Sequence, residues 1–213
     1  MKKTLLLATA IVMASPTAFA QSSLQRFYLG GGGGISNITN NMDAVILPVA
    51  GATASSVTYD KTSNPVRAFA GFRFTPNWGI EVGAQSVGQF DARRVVTAPA
   101  ATTTDASWTV RGGYADLVLS VPFGDDTWSV NGKVGAMRAT TRMESTTAGV
   151  TTTSTGNKFA FRYGVGLQFS LNRWPAFRAD AEVNKGATNS NLGGLSTDPL
   201  EYNVFTGSFL VKF

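Results

Sequence analysis

The last thirteen residues constrain this chain most: Glu201-Tyr202-Asn203-Val204-Phe205-Thr206-Gly207-Ser208-Phe209-Leu210-Val211-Lys212-Phe213. Counted back from the terminus in steps of two, Phe213, Val211, Phe209, Gly207 and Phe205 share one face. Lys212, Ser208 and Thr206 share the other, where Leu210 and Val204 are apolar exceptions. Alternation of period two specifies a strand, not a helix. At about 3.3 Å per residue the segment reaches roughly 40 Å, enough to cross a bilayer core even when tilted. Strands in soluble sheets are typically about 5–6 residues long. A long strand with one apolar face points to a membrane-spanning sheet. The competing reading is the last strand of a soluble one.

The N-terminus bears on where such a sheet would reside. Lys2 and Lys3 precede an apolar run from Leu5 to Met13, and Ala18-Phe19-Ala20 offers small residues at a cleavage site. Residues 1–20 therefore read as a secretory signal peptide, with residues 21–213 as one domain beginning at Gln21. The apolar run is too short for a spanning helix, and no later stretch offers about eighteen uninterrupted apolar residues. The formal net charge of +5 falls to +3 once Lys2 and Lys3 are removed, too weak an excess to imply nucleic acid as a partner. The chain has no Cys and no His, so disulfides, thiolate chemistry and an imidazole base are excluded, and no metal or other cofactor is expected.

Further strands follow along the chain. Phe27 to Ser36 is the first, and it holds five consecutive glycines, Gly30 to Gly34. No Lys-Ser/Thr pair follows, so a phosphate loop is discounted. Glycine permits close approach, and lumen-side glycines, taken as Gly31 and Gly33, are expected to make room for long charged residues of neighbouring strands. Pro65 to Gln89 reads as a hairpin about Thr75-Pro76-Asn77, its outer face running through Ser86 and Gly88 to Phe90. Trp108 to Val121 is a fourth strand. Its parity is ambiguous before Gly112-Gly113, where Arg111 would face outward unless a bulge intervenes. A fifth strand follows Trp128. The cleanest apolar face comprises Phe159, Phe161, Tyr163, Val165, Leu167 and Phe169. Phe177, Ala179, Ala181 and Val183 form the next. Residues 37–64, 91–106, 140–156 and 186–199 read as long connections, the third with an extended hairpin beyond the membrane as its alternative reading.

Eight strands, three short turns and four long loops thus alternate, giving an all-β, eight-stranded antiparallel up-and-down transmembrane β-barrel, the short turns periplasmic and the long loops extracellular. Each short turn leads into a tryptophan, Trp78, Trp128 or Trp174, spaced by 50 and 46 residues. With Phe213 at the same end these form an interfacial aromatic girdle.

The hairpin Gly71-Phe72-Arg73-Phe74-Thr75-Pro76-Asn77-Trp78-Gly79-Ile80-Glu81-Val82-Gly83 resembles the one joining the second and third strands of OmpA-like outer-membrane barrels. The terminus resembles their closing strand. Because the chain stops at Phe213 without a peptidoglycan-binding domain, the small OmpX-like and opacity-type barrels are the nearest family. The resemblance implies an outer-membrane location in a Gram-negative cell. It also implies recognition by the barrel-assembly machinery through Phe205, Phe209, Val211 and Phe213, and contact with outer-membrane lipid and lipopolysaccharide. A monomer is expected. In such barrels a lumen Glu on the third strand pairs with an Arg on the seventh. Glu81 and Arg178 resemble those positions, whereas the family's basic position on the fourth strand is Val118 here.

By parity the lumen carries Arg73, Glu81, Asp116, Lys133, Arg162, Gln168, Arg178, Asp180 and Glu182. An eight-stranded interior is just wide enough for side chains to fill, and both signs are present, so mutual pairing into a plug is expected over a single-sign filter. Barrel enzymes of similar architecture use a histidine, which this chain lacks, so no enzyme is expected. The expected role is structural and surface-interacting, with a possible ligand met by the loops. A small or gated porin-like channel is the alternative.

Overall fold

The computed structural model describes residues 26–39, 54–123, 127–171, 174–187 and 201–213. The signal-peptide reading, residues 40–53 of the first long connection and most of the fourth lie outside them. The strands are β1 Phe27–Ile38, β2 Ala54–Asp60, β3 Thr62–Ser63, β4 Val66–Arg73, β5 Trp78–Ala98, β6 Thr102–Phe123, β7 Trp128–Thr147, β8 Val150–Ser170, β9 Pro175–Lys185 and β10 Glu201–Lys212. Eight form a ring in the order β1-β4-β5-β6-β7-β8-β9-β10, and β10 pairs back onto β1 from Tyr28↔Lys212 to Ile38↔Tyr202. Every neighbour is antiparallel. Closure leaves no free edge around the ring. The short β2 and β3 continue the line of β4, pairing β5 and β1 respectively.

The alternation in the sequence becomes two surfaces. Outward residues such as Ile80, Val82, Leu117, Val134, Phe161, Val165, Phe177, Phe205 and Phe209 are all exposed. So large an apolar surface requires an apolar solvent, which identifies the wall as lipid-facing. Trp78, Trp128, Trp174 and Phe213 are exposed at the short-turn end, and Trp128 packs on Phe169 with ring centroids 4.6 Å apart. Val211 shares the outward parity of Phe209 and Phe213.

The second and third expected connections are largely strand, the third as an extended hairpin. β5 runs on to Ala98, and β6 begins at Thr102. β7 and β8 form a continuous ladder to Thr147↔Val150, turned by Ala148 (φ 50°) and Gly149 (φ 82°), the left-handed pair that a two-residue hairpin requires. The first connection contains β2 and β3. Threonine explains the difference: it is β-branched and favours strands, yet its neutral hydropathy blurs alternation. Moreover, the polarity of the wall inverts in this upper part. Val87, Phe90, Trp108, Val110, Met137 and Tyr202 point into the barrel and are buried, while Asp91, Arg93, Asp105 and Arg142 face outward.

Phe90 corrects the expected face of β5. The β5–β6 register shifts between Ser86 and Gly88, and Gly88 has φ +102°, so the bulge turns Phe90 from outside to inside. No bulge occurs at Gly112-Gly113, where β6 pairs with β7 in unbroken register. Arg111 accordingly faces outward.

The glycine expectation also changes. Gly31 and Gly33 share the outward parity of Ile35, while Gly30, Gly32 and Gly34 are the lumen-side ones. A Cβ on Gly30 would meet Phe69 Cζ at 2.4 Å, and one on Gly32 would meet Ser208 Oγ at 2.5 Å. The same complementarity recurs around the ring. Tyr28 lies over Gly71, Tyr114 over Gly83, Asp116 over Gly135, Glu182 over Gly164 and Asp180 over Gly166. Each larger inward group faces a cross-strand glycine in the ladder. That is how a narrow barrel houses so many large polar side chains. Gly166→Val should therefore cost about 1–3 kcal/mol by overpacking, because its Cβ would lie 2.2 Å from Asp180 Oδ1. Gly207→Val, whose Cβ meets nothing within 4 Å, should leave stability nearly unchanged. Urea titration of the barrel in detergent micelles distinguishes them, and equal stability of the two variants would refute the packing argument.

Candidate functional site

The inward parity of β4 to β9 gathers four cations, Arg67, Lys133, Arg162 and Arg178, with four carboxylates, Glu81, Asp116, Asp180 and Glu182. All eight are buried. Unpaired charges in such a site would be prohibitively expensive, and equal numbers of each sign give a formally neutral cluster.

Glu81 anchors one side. Its Oε2 lies 2.8 Å from Arg178 Nη1 and accepts a hydrogen bond from the Tyr28 hydroxyl at 3.2 Å. Its Oε1 accepts from the Tyr114 hydroxyl at 3.2 Å and lies 3.6 Å from Lys133 Nζ. Arg178 also donates from Nε to Asp180 Oδ2 at 2.8 Å, and its guanidinium sits 4.5 Å over the Phe69 ring. On the other side Arg162 Nη2 donates to Glu182 Oε2 at 2.7 Å, its Nε lies 3.1 Å from Asp116 Oδ2, and its guanidinium stacks 3.8 Å over Tyr114. Lys133 bridges the halves, 2.9 Å from Asp180 and 3.2 Å from Glu182. Several carboxylates thus serve two or three cations at once.

Arg67 was absent from the expected lumen set and is central to it. It binds Asp180 through Nη2 and Glu182 through Nη1 at 2.8 Å, and Ser208 Oγ holds its Nε at 3.1 Å. The signal was available: Arg67 shares the inward parity of Arg73. Of these two, Arg73 is the peripheral one. Its guanidinium lies 5.9 Å over the Tyr28 ring, and no carboxylate of the cluster pairs with it. Gln168 is buried between Ser129 and Arg178 in the ladders. Val118, in place of a basic residue, is inward and buried. The ionisable group that β6 does supply to the cluster is acidic: Asp116, two residues away, whose Oδ2 lies 3.1 Å from Arg162 Nε.

Above the cluster, toward the long hairpins, the lumen is mostly apolar, with Ser36, Thr141 and Arg94 as buried polar exceptions. Ile38, Val87, Phe90, Trp108, Val110, Met137 and Tyr202 are each at most 2 % exposed. The interior is thus two layers, one ionic and one largely apolar.

A family model described as outer membrane protein beta-barrel domain matches residues 4–213. No curated protein matches the chain. Among solved structures, OprG of Pseudomonas aeruginosa is similar, with TM-score 0.58 and 14% identity over 90% of this chain and 99% of that one. Neisserial surface protein A gives TM-score 0.50 and 15% identity over 88% and 97%. Ail, the attachment invasion locus protein of Yersinia pestis, gives 0.49 and 16% over 89% and 100%. With its closed antiparallel ring, its lipid-facing wall and a family match across nearly its whole length, the chain belongs to the outer membrane protein β-barrel domain family and resides in the bacterial outer membrane.

Proposed function

We propose that this barrel is a closed, non-conducting and non-enzymatic scaffold whose long hairpins mediate interactions at the cell surface. The observation that carries the reading is the neutral eight-charge cluster stacked beneath an apolar layer. An ion crossing it would have to break buried pairs and then enter a largely apolar layer, each unfavourable by several kcal/mol. The buried carboxylates are all engaged by cations, which leaves none poised as a general base. Beyond the lipid-facing band, β5–β6 and β7–β8 extend as paired ribbons with Thr, Asp and Arg on their outer faces. Rigid paired backbone suits presentation of a surface to a partner.

Planar-bilayer recordings provide the test. The wild-type barrel should give no conductance steps above the bare membrane, and sustained steps would establish the channel reading instead. Shortening β7–β8 from its turn should reduce attachment of expressing cells to other cells or to a cultured epithelial layer without changing barrel folding.

A further inference from the structure

Most cations on the outer wall already have anions. Arg93 lies 3.5 Å from Asp105, Arg142 lies 2.6 Å from Glu144, and Lys185 lies 3.8 Å from Glu201. Two do not. Arg111 on β6 and Arg138 on β7 are exposed, face outward, and make no ion pair among the described residues. Their cross-strand partners are Ser86 and Thr140 for Arg111, and Gly113 and Phe159 for Arg138, none of them acidic. Lys158 is also exposed, but it pairs with the inward Ala139 and so belongs to the other parity.

Their height on the wall is specific. Toward the short turns, the outward residues of β6 and β7 are Ala115, Leu117, Ala136 and Val134, and the neighbouring Phe159 is 71% exposed. Toward the hairpin tips they are Thr109 and Thr140, the latter donating to Asn157 at 2.6 Å. The two arginines therefore stand on the line where the wall passes from apolar to polar. An Arg stem there lies along hydrocarbon while its head reaches the headgroup layer. Arg111 pairs two residues from Arg138 in the ladder, so the two are diagonal neighbours about 7–8 Å apart, close enough for both forks to grip one phosphate group. Gly113, directly opposite Arg138, leaves the wall open beside it: a Cβ there would meet nothing nearer than 3.7 Å.

We propose that Arg111 and Arg138 form a binding site on the outer wall for the phosphate of a phosphorylated lipid headgroup in the leaflet on the long-hairpin side. The site would hold a lipid as a bound component of the barrel surface, and it does not depend on the lumen being closed.

Native mass spectrometry of the full-length refolded barrel in detergent tests this with bisphosphorylated lipid A, its dephosphorylated form, and inorganic phosphate as probes. The wild type should retain bisphosphorylated lipid A at concentrations about tenfold or more below those needed for the R111Q/R138Q variant. Arg93→Gln removes the same charge from a higher, already paired position and should match the wild type. Dephosphorylated lipid A should bind the wild type no better than it binds the double variant, and inorganic phosphate should compete weakly, because the acyl chains contribute. Equal retention by wild type and double variant would overturn the site, as would equal weakening by Arg93→Gln or preference for inorganic phosphate over the lipid. The comparison of phosphorylated and dephosphorylated lipid on the wild type needs no variant, so a folding defect in the double variant leaves the test standing.

Discussion

Replacing Glu81 with Ala should destabilise the barrel by about 3–5 kcal/mol, the usual consequence of breaking a buried charge pair. The change strands Arg178, which would retain only Asp180 at 2.8 Å, and it removes the acceptor used by both Tyr28 and Tyr114. It also leaves four buried cations facing three carboxylates. Arg178→Ala should cost a similar amount, since Glu81 would then depend on Lys133 at 3.6 Å and two tyrosines. The double variant should cost clearly less than the two single losses combined, because it removes one charge of each sign together. It should not be neutral: the tyrosine hydroxyls would still lack their acceptor, a penalty of about 1–3 kcal/mol. A double-mutant cycle by urea titration in micelles measures the coupling directly. Additive single losses would show that the pair is not a functional unit of the cluster.

The second large effect concerns the wall. Phe209→Arg places a charge on the exposed lipid face of β10, beside Phe177 at a ring-centroid distance of 5.4 Å. It should cost roughly 2–4 kcal/mol near the midplane, whereas Asn203→Arg, on the same face but at the upper rim, should cost about 0–1. Folding free energies in lipid bilayers give the comparison. Equal tolerance at the two positions would mean that the wall is not lipid-facing at Phe209. Thr206→Arg on the inner face should be tolerated no better than Phe209→Arg, because Thr206 is 4% exposed and a fifth cation would unbalance the neutral cluster.

Much of this protein is determined by its sequence alone, and for one reason. A bilayer outside and a narrow, self-paired interior impose opposite polarities on alternate residues. The faces of β7, β8, β9 and β10 can therefore be read from period two, and so can the inward placement of Glu81, Asp116, Lys133, Arg162 and Arg178. The same rule fails where the solvent changes. Beyond the lipid band the outside is wet and the inside apolar, so the alternation reverses and Thr-rich strands look like loops.

Only the tertiary structure decides the rest. A single bulge at Ser86–Gly88 sends Phe90 inward, and no local pattern marks that site beyond a glycine. Ring closure brings Arg67 to Ser208, 141 residues away, and places it on Asp180 and Glu182, so the centre of the cluster is set by register across many strands. Which carboxylate meets which cation depends on side-chain reach across a lumen that forms only when β10 meets β1. Arg111 remains outward because β6 keeps its register past Gly112-Gly113. Parity determines which residues could meet, but closure and register decide which do, because those contacts join strands far apart in the chain.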